Sequence, residues 1–118
     1  MPAINIYTNR DRVKPLESIL SGLRDFAARE LSCGGRKSVG DLVKLSSEEI
    51  SLRILVPEAS MQIADTELEI TAHQYPERVE RQDNICLAVK DYLQKQCPEA
   101  GSVYVWLSLS ELGHSAKD

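Results

Sequence analysis

The chain has 118 residues, 42% hydrophobic, 27% charged and only 5% aromatic, with a formal net charge of -4. That length supports one packed core built mainly from aliphatic side chains, so a single domain over residues 1–118 is expected. The acidic balance argues against nucleic-acid and anionic-membrane partners, no run approaches the roughly 18 apolar residues of a membrane span, and the first residues lack the features of a signal peptide, so a cytoplasmic protein is expected.

Ile4 and Ile6 alternate with Asn5 and Tyr7, which predicts a strand over 2–8. A polar turn leads to Pro15, suited to a first helical position because its missing N–H costs nothing there. Leu16, Ile19, Leu20, Leu23, Phe26, Ala27 and Leu31 recur at three- and four-residue steps. They predict one amphipathic helix of about four to five turns, stopped at Gly34-Gly35. The segment 36–47 is less patterned, with a short helical turn expected near 39–44. A second strand follows over 50–56, with Ile50, Leu52, Ile54 and Val56 in phase, and ends at Pro57. Leu68, Ile70 and Ala72 predict a third strand over 67–73. Pro76 opens a second helix carrying Val79, Ile85, Cys86, Val89, Tyr92 and Leu93, which Pro98 and Gly101 close. Its charged residues Glu77, Arg78, Glu80, Arg81, Lys90 and Asp91 read as a solvated face. A fourth strand is predicted over 103–109, and the tail from 113 reads as frayed.

The order is strand-helix-strand, twice, with pseudo-repeats at about 2–60 and 66–111. Ser51-Leu52-Arg53-Ile54-Leu55-Val56 lies against Ser102-Val103-Tyr104-Val105-Trp106-Leu107 with apolar positions in phase. The expected fold is α+β: a duplicated βαβ, its four-stranded sheet carrying both helices on one face because such crossovers are right-handed. Ser51, Leu55, Tyr7, Trp106 and Leu107 are then expected on an uncovered face, which predicts self-association. A ferredoxin-like βαββαβ module shares this order but pairs its strands antiparallel, so parallel pairing of 3–8 with 50–56 separates the two. Cys33, Cys86 and Cys97 are odd in number and lack CxxC spacing, and His73 and His114 stand alone. Neither a disulfide framework nor a metal site is expected, and Cys86 reads as a small buried hydrophobe.

Pro2 feeding a strand, then a helix, then Ser51-Leu52-Arg53-Ile54-Leu55-Val56, resembles the tautomerase superfamily over roughly residues 2–60 and 66–111. The resemblance implies a tautomerase/MIF-like homotrimer and a cofactor-free isomerase, or a related decarboxylase or dehalogenase, acting on a small keto or enol carboxylate. Pro2 matches the N-terminal proline that acts as general base once the initiator Met1 is removed. Arg12 matches a substrate-carboxylate arginine and Arg53 a second arginine that polarises the substrate. Tyr104 resembles a tyrosine placed near a neighbouring subunit's proline. Trp106 falls where asparagine is usual, so Tyr104 and Trp106 are candidate pocket residues. Desolvation and the field of Arg12 and Arg53 would favour the neutral, basic form of the Pro2 amine. Arg53 would stabilise an enolate oxygen, and Arg12 would grip a carboxylate.

Each candidate has a plainer reading. Arg12 fits a solvated loop charge beside Arg10 and Lys14, and Arg53 fits an ion pair with a neighbouring subunit. Tyr104 and Trp106 fit interface packing. In place of the Gly-Ile-Gly-Gly run that follows the second strand of short tautomerases stands Glu58-Ala59-Ser60-Met61-Gln62. That departure keeps open a non-catalytic ligand-binding or interaction protein.

Overall fold

The computed structural model describes residues 2–32 and 44–110. Met1, Cys33, His114, the Gly34-Gly35 stop, residues 39–43 of the expected turn and the tail from 113 lie outside the described residues.

Four strands, β1 (Ala3–Tyr7), β2 (Ser51–Leu55), β3 (Thr66–His73) and β4 (Val103–Ser110), form one sheet in the order β2-β1-β3-β4. β1 runs parallel to β2 and β3 parallel to β4, while β1 and β3 pair antiparallel at the centre. The parallel pairing of β1 with β2 separates this fold from the ferredoxin-like arrangement. Alternation sends Ile4, Ile6, Leu68 and Ile70 to one face, where all four are fully buried under Leu23, Leu31, Ile85, Val89 and Leu93 of the helices.

Both predicted helices are present, and both are broken. The first divides into α1 (Val13–Glu17) and α2 (Leu20–Leu31). At the break Ser18 Oγ donates to Pro15 C=O at 2.7 Å and Ile19 N–H to Leu16 C=O at 3.0 Å, which tightens the chain into an i to i-3 turn. Pro15 is the third residue of α1 rather than the first, still inside the turn whose N–H groups lack intrahelical partners. The second divides into α3 (Pro76–Glu80), opened by Pro76, and α4 (Gln82–Gln96). α2 and α4 cross where the Phe26 ring stacks on Tyr92 at 4.5 Å. Gly22 faces the Tyr92 hydroxyl there, leaving no room for a Cβ.

Two expectations are corrected. Leu107 pairs with Ile70 and lies on the helix-covered face, 7% exposed, so it is absent from the open face. Arg78 is not solvated: it is 2% exposed, and its guanidinium donates to Leu31 C=O and His73 C=O, each at 2.8 Å. Arg81 likewise donates to Glu30 C=O at 3.0 Å and pairs with the Glu30 carboxylate at 2.9 Å. The physical reason is the end of α2, whose last carbonyls have no intrahelical partner and whose dipole favours positive charge. α3 supplies Arg78 and the α3–α4 junction supplies Arg81, from across the fold.

Arg78→Leu is expected to remove the hydrogen bonds to Leu31 C=O and His73 C=O and lower stability by about 2–4 kcal/mol, read as an earlier urea midpoint. Gly101 has φ 75°, and a Cβ there would lie 2.9 Å from Asp65 Cβ. Gly101→Ala is therefore expected to cost about 1–3 kcal/mol, checked by thermal unfolding.

Candidate functional site

Pro2 precedes β1 and is buried. Its carbonyl accepts from Ser51 N–H at 3.1 Å, which joins it to the start of β2. Arg12 lies at the other end of the sheet, 3.8 Å from Asp65, which Ser102 holds through its N–H at 3.0 Å and its hydroxyl at 3.2 Å. The Ser102 backbone and hydroxyl bonds, then the charge of Arg12, hold the Asp65 carboxyl below the usual carboxylate range. At the rise of an extended strand, the six steps from Pro2 to Thr8 span about 20 Å. Within one chain, then, Arg12 and Pro2 are not brought together.

The open face carries an ordered row. Register places Arg53 beside Asn5, Asn5 beside Glu69 and Glu69 beside Trp106. Arg53 Nη1 donates to Asn5 Oδ1 at 3.1 Å, and Asn5 Nδ2 donates to Glu69 Oε1 at 3.1 Å. The Tyr7 hydroxyl donates to the same Glu69 oxygen at 3.0 Å. This bond, then partial burial and the negative charge of Glu69, raises the Tyr7 pKa above its ordinary value. Tyr104 and Trp106 sit side by side on β4 with ring centroids 5.8 Å apart, Tyr104 45% exposed and aligned with Glu67 and Tyr7. Tyr104 therefore also lies toward the end of β1 far from Pro2.

The sequence reading missed Asn5, Tyr7 and Glu69 as a network. Their signal was parity: all three share the odd-numbered face with Arg53, and a carboxylate within an alternating strand needs a partner.

Three clefts lie at the margins of the sheet. One of about 500 Å3 follows the outer edge of β2 and is lined by Arg24, Glu48, Ser51 and Arg53 among others. A second, of about 390 Å3, lies beside Asp65 and Ser102. The third, of about 430 Å3, is lined by Cys86, Leu87, Tyr104 and Trp106 among others. Burial, then the charge of Asp83, pushes the Cys86 thiol up, which leaves it protonated and unreactive at neutral pH. Pro2 lines none of these three clefts. Among the described residues, no cluster of three or more His, Cys, Asp or Glu is placed to hold a metal ion, and no helix is long and apolar enough to cross a membrane.

No family profile and no curated protein matches the sequence. Solved structures match the fold. A macrophage migration inhibitory factor-like protein from Entamoeba histolytica aligns over 97% of this chain and 95% of its own, with TM-score 0.61 and 9% identity. A fused 4-OT, described as a wild-type symmetric trimer, aligns over 96% and 91%, with TM-score 0.58 and 11% identity. A protein of unknown function from Vibrio cholerae aligns over 93% and 78%, with TM-score 0.60 and 10% identity. The chain therefore has the tautomerase/MIF-like fold.

Glu69→Gln is expected to bring the Tyr7 pKa back toward its ordinary value, checked by ultraviolet titration of the phenolate against a Tyr7→Phe reference. Because the folded pKa is raised, the contribution of this pair is present below about pH 10 and lost as pH rises through the folded value.

Proposed function

We propose that this chain is a cytoplasmic, cofactor-free tautomerase or isomerase that uses the Pro2 amine, freed by removal of Met1, as general base on a small keto or enol carboxylate. The observation that carries this reading is the placement of Pro2: buried at the head of a central strand of a tautomerase-like sheet, and bonded through its carbonyl to Ser51 of the arginine-bearing strand β2. The ring amine takes a proton from one position of the substrate and returns it at another, while Arg53 stabilises oxygen charge as the enolate develops.

Arg12 and Tyr104 lie toward the opposite end of β1 from Pro2, so their part in the site requires a second copy of the chain. A homotrimer fits that requirement, and one structure of similar fold is described as a symmetric trimer. In such an assembly Arg12 would grip the carboxylate, with Tyr104 and Trp106 walling the pocket.

A second reading, a non-catalytic ligand-binding or interaction protein of the same fold, is favoured by one observation. Pro2 is buried and lines none of the three clefts.

The test is ketonisation of phenylpyruvate enol by protein whose intact mass lacks one methionine. Acceleration is expected, with Pro2→Ala reducing it by about 100- to 10,000-fold, the range of a lost general base. An unaccelerated reaction, or a mass retaining Met1 on natively expressed protein, gives the second reading the lead.

A further inference from the structure

Ser51 N–H donates to Pro2 C=O and Thr8 N–H to Leu55 C=O, both at 3.1 Å. The even-numbered residues of β1 therefore turn their backbone groups toward β2, and the odd-numbered ones toward β3. In β3 the even residues turn toward β4, since Thr66 N–H reaches Ser102 C=O and Gln74 N–H reaches Ser110 C=O. His73 C=O consequently faces the line of β1. Ala3 pairs with Thr71, which sets Pro2 opposite Ala72 and His73 one step beyond it. A residue's nitrogen lies on the side of the preceding position. The Pro2 nitrogen is thus level with the gap between Ala72 and His73, one strand spacing, roughly 5 Å, from β3.

The Arg78 guanidinium sits at this end of β1. Its Nη1 donates to His73 C=O and its Nε to Leu31 C=O, each at 2.8 Å. The Tyr75 ring covers it, with Arg78 Cζ 4.9 Å from the ring centroid, and the His73 ring abuts Tyr75 edge-on at 4.5 Å. Two carbonyls and one aromatic face hold the side chain, and the residue is 2% exposed. Pro2 is buried as well, and shares the parity of Ile4 and Ile6 on the helix side. A guanidinium keeps its positive charge throughout the physiological range, and at this depth salt screens it little.

The other charged and titratable groups around this end bond to one another or to the backbone. Arg81 pairs with Glu30 at 2.9 Å and with Glu77 at 4.0 Å. Glu49 Oε1 accepts from Ser46 N–H at 2.9 Å, and Arg24 Nε donates to Ile50 C=O at 3.0 Å. His73 Nδ1 lies 3.2 Å from Ser110 C=O, and Glu48 is exposed. Arg12, expected from the sequence to supply the positive field at Pro2, lies at the other end of the sheet beside Asp65. Arg53 lies on the open face at the level of Asn5, to which it is bonded.

We infer that Arg78 sets the basicity of the Pro2 amine: its fixed, buried charge disfavours the ammonium form and keeps the ring nitrogen free to take a proton. This deepens the proposed function, on which it rests for the link to catalysis, by naming the residue that tunes the base. Arg78 acts through Pro2, which makes it a positioning residue. It lies outside the set of residues that the resemblance implied.

The experiment is a nitrogen-15 NMR pH titration of the full chain, labelled at proline and arginine, on protein whose intact mass lacks one methionine. Of the five prolines only Pro2 then carries a titrating amine, the others being imide nitrogens. Its midpoint is expected about one to two pH units below that of the same chain unfolded in urea, the shift that a like charge at this range produces. The Arg78 Nε–H signal is expected to move with the same midpoint, a wild-type readout that decides the matter even if a variant unfolds. Arg78→Gln is expected to raise the Pro2 midpoint by about one unit, and the acid limb of kcat/KM for phenylpyruvate enol with it. Arg78→Lys, which keeps the charge, is expected to stay near wild type. A Pro2 midpoint no lower than in the unfolded chain, an Arg78 signal that does not follow it, or an unchanged midpoint in folded Arg78→Gln overturns the inference. So does a native chain that keeps Met1. A lowered, Arg78-dependent midpoint without Pro2-dependent turnover would leave the role of Arg78 in place and remove the catalytic reading. Turnover with a Pro2 midpoint indifferent to Arg78 would do the reverse.

Discussion

The antiparallel pairing of β1 with β3 joins the two βαβ units, and the remaining architecture depends on its register. Ile4 and Ile6 meet Ile70 and Leu68 on the helix side, while Asn5 meets Glu69 on the other. Because side chains alternate, a slip of β1 by one residue would turn both isoleucines onto the polar face and bury Asn5 among leucines. The burial of four fully enclosed aliphatic side chains opposes that slip, and the Asn5–Glu69 hydrogen bond opposes it from the other side. With register fixed, right-handed crossovers place both helical layers on the same face.

The two faces consequently differ in chemistry. The helix side is dry and aliphatic. The open side holds Arg53, Asn5, Glu69 and Tyr7 in a chain of hydrogen bonds, with Tyr104 and Trp106 beside them on β4. Such a face differs from a bare apolar patch: burying it in an assembly requires these polar groups to keep their partners or gain new ones. An aromatic pair next to satisfied polar groups is suited to that, since it contributes area at small entropic cost.

Charge also organises the two ends of the sheet. At the end that bears Pro2, Arg78 and Arg81 close the carbonyl terminus of α2 and tie it to the α3–α4 junction. At the other end, Asp65 and Ser102 exchange three hydrogen bonds, with Arg12 alongside and Gly101 giving the close approach a side chain would block. The edge of β2 lies between these anchored ends, with Arg53 bonded to Asn5 on the open face and Arg24 of α2 bonded to Ile50 C=O.

By itself the sequence determined the strands, the approximate extent of the helical regions and the strand-helix-strand order repeated twice, because aliphatic periodicity is a local signal. Parity along β2 also put Arg53 on the open face with Ser51 and Leu55, whereas Leu107, expected there beside Trp106, lies in the core. Other features came only from the tertiary structure, because each depends on groups far apart in the chain. Arg78, in sequence one charge among many on a helix, is buried because the carbonyl it serves is 47 residues away. Arg24 and Arg53 share a cleft because the fold returns β2 alongside α2. Sequence alone also left Arg12 free to accompany Pro2, whereas the length of β1 sets them at opposite ends of the sheet. Local patterning thus fixed which elements form, and long-range pairing decided which charges meet.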